Sequence, residues 1–186
     1  MAALVAGGGL TREHGEFWNM PLLDATTLDD AGYVLTYKVE SSTNKVDKAA
    51  ATDTPRCVNF RSTRDPFDLR ETNHGDQTGA QVGAHGLPVF REGWAKLKVA
   101  VNNAAIVRGD ALKVATSGGG KVDKYVETAI LGSTAGVIVS TIEARFDELA
   151  RIVGNAEEDI AVGTTSGPGK DKVLTHLSIG KVQRAS

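Results

Sequence analysis

Residues 105–115, AIVRGDALKVA, and residues 152–182, IVGNAEEDIAVGTTSGPGKDKVLTHLSIGKV, decide how the chain folds. Both follow one order: an apolar strand, a glycine turn, a short apolar run, a second glycine-rich turn, and a close on Gly-Lys-Val. Ile106–Leu112 leads to Gly120-Lys121-Val122, and Ile152-Val153-Gly154 leads to Gly180-Lys181-Val182. Short apolar runs of this length between glycine turns are strands, and neither segment holds a catalytic constellation.

Outward from that region the alternation continues. Tyr33, Leu35, Tyr37 and Val39 share one face of a strand over 33–40, with Thr36, Lys38 and Glu40 on the other. Ala95, Leu97, Val99 and Val101 do the same within 89–101, and Val173, Thr175, Leu177 and Ile179 within 172–179. Further strands are expected over 56–61, 105–108, 111–115, 122–129, 136–140 and 159–162, and the polar run 41–55 reads as a loop. One segment has a different period. Ile142, Phe146, Leu149 and Val153 are spaced i, i+4, i+7, i+11, and Ser140 with Glu143 fits a capping box, so a helix over 140–151 ending near Gly154 is expected. A strand over 150–153 is the competing reading. The fold class is mainly β: a small β-sandwich or barrel-like core with one short helix and an extended N-terminal arm.

The expected organisation is an arm over 1–31, strands with long loops over 32–104, and a β-rich core over 105–186. Residues 62–88 form a polar stretch long enough to be expected to lie along a partner. The 186 residues include 21 glycines, above the average share of ~7%, and the excess goes into turns. The net charge of −2, with 21 basic and 23 acidic residues well mixed, gives no field that gathers nucleic acid or anionic lipid. No apolar run approaches the ~20 residues of a membrane span, and residues 1–9 lack the basic start of a signal peptide. The one cysteine, Cys57, excludes an intramolecular disulfide framework and fits a reducing cytosol.

The candidate chemistry is thin. Gly163–Lys170, GTTSGPGK, has five residues between its first glycine and Gly169-Lys170, and Asp171 follows, whereas a phosphate-binding loop needs four and then Ser or Thr. Cys57 with His74 or His85 would make a thiolate nucleophile only with a base beside it, and a lone cysteine in a strand reads first as core. His14, His74, His85 and His176 show no ligand spacing, and His176 falls opposite the apolar face of the last strand. Asp29-Asp30 and Glu157-Glu158-Asp159 read as solvated turn charges, and Arg108-Gly109-Asp110 as turn chemistry rather than adhesion. No catalytic, cofactor-binding or metal-ligating residue is assigned.

The wording of Ile106–Leu112, Gly120-Lys121-Val122 and Val153–Thr165 resembles that of the capsid decoration, or head cement, proteins of tailed bacteriophages, over about 80 residues at the C-terminal end. The resemblance implies a protein made in the host cytoplasm that binds the outer surface of an icosahedral capsid and stabilises it. Its implied partners are the major capsid protein and two further copies of itself in a trimer, with no nucleic acid and no membrane. Two features depart from the family pattern: Asn155 stands where a small apolar residue is usual, and the expected helix is an insertion. Eight of the ten aromatics lie between Phe17 and Trp94, outside the resemblance, so the expected contacts are Phe17, Trp18, Tyr33, Tyr37, Phe67, Phe90 and Trp94. The alternative is a β-sandwich head module that binds a receptor or a carbohydrate through a shallow aromatic site.

Overall fold

The computed structural model describes residues 17–60, 63, 79, 86–100, 104–127, 129, 135–161 and 171–180. They form two five-stranded antiparallel sheets and one helix, so the chain is mainly β, as expected. Sheet I contains β1 (Phe17–Met20), β2 (Val34–Glu40), β3 (Thr43–Lys48), β4 (Cys57–Asn59) and β5 (Leu87–Phe90), in the order β1-β5-β4-β2-β3. Sheet II contains β6 (Glu92–Lys98), β7 (Ala111–Val114), β8 (Val122–Lys124), β9 (Ile152–Ala156) and β10 (Lys172–Ser178), in the order β6-β10-β9-β7-β8. The helix, α1, spans Ala135–Leu149.

The period of two sorts the side chains. In β2, Val34 enters the main core while Leu35 enters a second one; Val58 and Cys57 divide in the same way, as do Phe90 and Val89. The main core takes residues from both sheets, including Val34, Val58 and Phe90 from sheet I and Leu97, Leu112, Val122, Val153 and Val173 from sheet II. It is the filling of a sandwich. The second core lies on the other face of sheet I, where Leu22 and Leu28 cover Tyr33, Leu35, Val46, Cys57, Leu87 and Val89. Each fully buried leucine or valine contributes about 1.5–3 kcal/mol.

The two segments with shared wording sit in one sheet, where β7 pairs antiparallel with β9. Between Leu112↔Gly154 and Lys113↔Ile152 the register skips Val153. This bulge lets Val153 and Ala156 both reach the main core, although they are an odd number of residues apart.

The backbone also ties the sheets together at one corner. Val34 N–H donates to the Gly120 carbonyl at 2.8 Å, Gly120 N–H to that of Ala49 at 2.9 Å, and Lys98 N–H to that of Gly32 at 3.0 Å. Gly32 has φ +93°, and a Cβ there would sit 2.1 Å from the Lys96 carbonyl oxygen, so only glycine lets the strand lie this close.

Several sequence expectations need correction. Residues 136–140 are the opening turns of α1, not a strand; the β-branched run Val137-Ile138-Val139 carries strand propensity that the helix overrides. Ser140 is interior to α1 and its hydroxyl donates to the Val137 carbonyl at 3.0 Å, so no capping box forms. The helix ends at Leu149 and β9 follows directly, so the competing strand over 150–153 is present in part.

The run 41–55 contains β3, joined to β2 by a two-residue turn in which Ser41 and Ser42 both have positive φ, 49° and 63°. Expected strands at 105–108 and 159–162 shrink to one antiparallel bridge, Ile106↔Ile160. The 89–101 pattern is two strands on different sheets, divided at Arg91. Of the expected arm, residues 17–31 pack on the body through β1, Leu22 and Leu28, and residues 1–16 lie outside the described residues. Most of 62–88, with His74 and His85, and the whole of Gly163–Lys170 also lie outside them.

Candidate interaction surface

Arg91 is the single residue between β5 and β6, the point where the chain leaves sheet I for sheet II. Its side chain turns onto the outer face of sheet I. There Nε donates to the Arg56 carbonyl at 3.0 Å and Nη2 to the Tyr37 hydroxyl at 2.6 Å. The guanidinium lies 5.0 Å from the Trp18 ring centroid and 6.0 Å from that of Tyr37, and Arg56 approaches Tyr37 at 5.8 Å. These are cation–π distances.

Tyr37 and Val39 continue the stripe that begins with buried Leu35, but beyond the second core: Tyr37 is 37% exposed under the two arginines and Val39 is 73% exposed. The patch therefore combines two guanidinium groups, two aromatic rings and one apolar side chain on a rigid sheet. Tryptophan, tyrosine and arginine are the residues that dominate binding hot spots, because they join large apolar area to directed polar groups.

The other expected contact residues take different roles. Phe90 is buried in the main core, edge-on to Phe60 with centroids 6.4 Å apart. Tyr33 is buried too; its hydroxyl donates to Asp29, and Lys48 and Lys98 stand 4.8 and 5.7 Å from its ring. Burial and the Asp29 carboxylate both push the Tyr33 hydroxyl up, so it stays a neutral donor. Phe17 is placed by its backbone in β1, opposite Phe90; its side chain and all of Phe67 lie outside the described residues. Trp18 and Tyr37 thus come together, while Trp94 stands apart on sheet II.

Trp94 pairs with His176 across β6 and β10, their ring centroids 5.0 Å apart and tilted by 35°. His176 is exposed, as its position opposite the apolar face implied. Asn155 lies beside His176 in the register, and its Oδ1 is buried with no hydrogen-bond partner among the described residues. Arg91, the centre of the first patch, was missed in the sequence because a lone arginine between two strand-like runs carries no signal until the chain is seen to change sheets there.

The acidic groups read as solvated turn charges are instead structural. Asp30 contacts Lys98 at 3.2 Å and Lys172 at 2.8 Å, and Asp171 contacts Lys98 at 2.6 Å. Burial pushes the Asp30 carboxyl up, but hydrogen bonds from Lys172, the Ala31 amide and Lys98 outweigh it and hold the group below its ordinary value. Glu158 accepts from the Leu174 amide at 2.6 Å and Asp159 from that of Arg108 at 2.7 Å. Asp110 accepts from the Val107 amide at 2.7 Å and pairs with Lys124 at 2.9 Å, so the Arg-Gly-Asp tripeptide spends its carboxylate on its own turn.

Cys57 is buried under Leu22 and Leu28, and burial pushes its thiol up to about 12 despite the nearby Arg91 charge. A thiol held there stays protonated and is no nucleophile near neutral pH. Among the described residues no group of three or more His, Cys, Asp or Glu side chains could hold a metal ion, and no helix is long and apolar enough to cross a membrane. No protein-family model matches the chain, and no curated protein or solved structure matches it at a significant level.

Proposed function

We propose that this chain is a structural virion protein that binds the outer surface of an icosahedral phage capsid and stabilises it. The observation that carries the reading is the Trp18–Arg91–Tyr37 patch, in which exposed Arg91 and Tyr37 meet a half-buried Trp18 at the junction of the two sheets. The resemblance of the C-terminal half to decoration proteins supports it. The partner is the major capsid protein, and the working form is a homotrimer on the capsid surface. Many symmetry-related copies multiply a modest single contact, so a small patch suffices. The test is co-sedimentation with expanded heads of the phage that encodes the chain: saturable binding and greater resistance of the heads to heat are expected, and absence of binding rejects the reading.

A second reading has its own observation. The half-buried Trp94 with exposed His176 beside it is a ring platform of the kind that stacks on a sugar face, which supports a carbohydrate-binding head module. Glycan-array binding lost in Trp94→Ala, with capsid binding intact, would favour it; silence on the array excludes it.

A further inference from the structure

Two exposed guanidinium groups flank Tyr37, and no carboxylate among the described residues pairs with either. Other cations of the protein do meet carboxylates: Arg108 faces Glu157 at 3.5 Å, and Lys124 faces Asp110 at 2.9 Å. The acids near β2 and β3 are already engaged. Asp53 pairs with Lys38 at 3.2 Å and Glu40 with Lys45 at 2.7 Å, while Lys45 also holds Asp24. The charge of Arg56 and Arg91 is therefore left for another molecule to offset.

Arg91 is also held ready for it. One edge of its planar fork, Nε and Nη2, is spent on the Arg56 carbonyl at 3.0 Å and the Tyr37 hydroxyl at 2.6 Å. The adjoining edge, Nη1 with the second Nη2 hydrogen, has no acceptor among the described residues. Two parallel N–H donors match the two oxygens of a carboxylate. Because the side chain is already fixed, binding there costs it little further rotamer freedom.

We infer that Arg91 and Arg56 form a carboxylate-binding site, and that the partner's contact segment presents an aspartate or glutamate next to an apolar side chain. The apolar requirement follows from Val39, 73% exposed, which continues the face of β2 from Tyr37. Phosphate sites draw on helix N-termini or successive backbone N–H groups, and nucleic-acid tracks on rows of cations. This patch instead offers two guanidinium forks on a sheet face, in a chain of net charge −2. The inference deepens the function proposed above and rests on the same patch being the contact surface.

The test is a nuclear magnetic resonance titration of the full folded chain, labelled with heavy nitrogen and followed at the arginine Nε–H signals, without heads. The probe is a blocked tripeptide with glutamate between leucine and valine. It is expected to shift the Arg91 and Arg56 signals saturably at about millimolar concentration. The same peptide with glutamine should bind roughly fivefold more weakly or worse. Arg108, paired with Glu157 and with its side chain 73% exposed, serves as the control and should not respond. Arg91→Gln and Arg56→Gln, both exposed sites, should each weaken the response of the remaining arginine. Equal response to the two peptides, or an equal shift at Arg108, overturns the inference. A stronger response to inorganic phosphate or to an oligothymidylate than to the glutamate peptide overturns it in favour of a phosphate ligand. The two readings fail separately: peptide binding without head binding rejects only the capsid, and head binding without peptide binding rejects only the carboxylate.

Discussion

The guanidinium of Arg91 donates to the hydroxyl of Tyr37 at 2.6 Å across 54 positions of sequence, and the same group lies over the ring of Trp18. Three side chains from β1, β2 and the β5–β6 junction are thereby locked in one geometry on an exposed face. Arg91→Ala is expected to change stability by less than about 1 kcal/mol, because the contacts are exposed. It should weaken binding to heads by about tenfold or more. Arg91→Lys should not restore it, since an ammonium cannot reach the Tyr37 hydroxyl and the Arg56 carbonyl with one planar fork. Quantitative co-sedimentation and a thermal melt check this; unchanged binding in Arg91→Ala removes the patch from the interface.

Gly32→Ala is expected to be strongly destabilising. A non-glycine residue with a left-handed backbone costs about 1–2 kcal/mol. The Cβ contact of 2.1 Å with the Lys96 carbonyl adds to it, because backbone has to move on β6. A total loss of at least ~2 kcal/mol corresponds to a Tm lower by roughly 4–8 °C for a chain of this size. A melt within a degree of wild type would show that the corner between the sheets is less tightly held than described.

The Asp30, Lys98, Lys172 and Asp171 cluster gives stability two pH limits. Burial raises the carboxyls of Asp29 and Asp30, but hydrogen bonds from Tyr33 and Lys172, with lysine charges near both, bring each below the ordinary value of 3.8. Their contribution is complete above that value and is lost as pH falls through the lower folded one. Lys98 is opposite in sign: burial lowers it, yet Asp171 and Asp30 raise it above 10.5, so its contribution holds below 10.5 and is lost as pH rises through the folded value. Denaturant midpoints over pH should therefore fall at both ends, and Asp30→Asn should flatten both limbs. A midpoint in Asp30→Asn with the same pH dependence as wild type would contradict this.

Cys57 should react with iodoacetamide at pH 8 far more slowly than a free thiol, because burial keeps it covered and protonated. In denaturant the rate should rise to the free-thiol value. Fast labelling of the folded protein would restore Cys57 as a candidate nucleophile.

The class of fold was legible because the strands carry their faces in their composition. Tyr33, Leu35, Tyr37 and Val39 do share one side of sheet I, and Ala95, Leu97 and Val99 do point into the sandwich. The strand β3 was hidden because its residues, TNKVDK, place only Val46 in a core, leaving no alternation to detect. The turn that makes it a hairpin uses two serines with positive φ where glycine or asparagine would have been a signal. The start of α1 was misread because Val137-Ile138-Val139 has the composition of a strand.

For the contact surface, composition singled out the aromatics but could not tell which are buried. Phe90 and Tyr33 face the protein's own cores, and Trp18 and Tyr37 meet only because Arg91 turns the corner between sheets.

The sequence by itself determined a β-rich chain with glycine turns, a helix ahead of Gly154 and a cysteine in the core. Those properties follow from local period, turn chemistry and side-chain polarity, which act over a few residues. Only the tertiary structure decided that the 89–101 run divides between two sheets, that Asp29 and Asp30 are bound to Tyr33, Lys98 and Lys172, and that α1 leaves Phe146 to the solvent. Each depends on which distant backbone comes within hydrogen-bonding or van der Waals reach, and that is set by the sum of packing over the whole sandwich rather than by any one stretch.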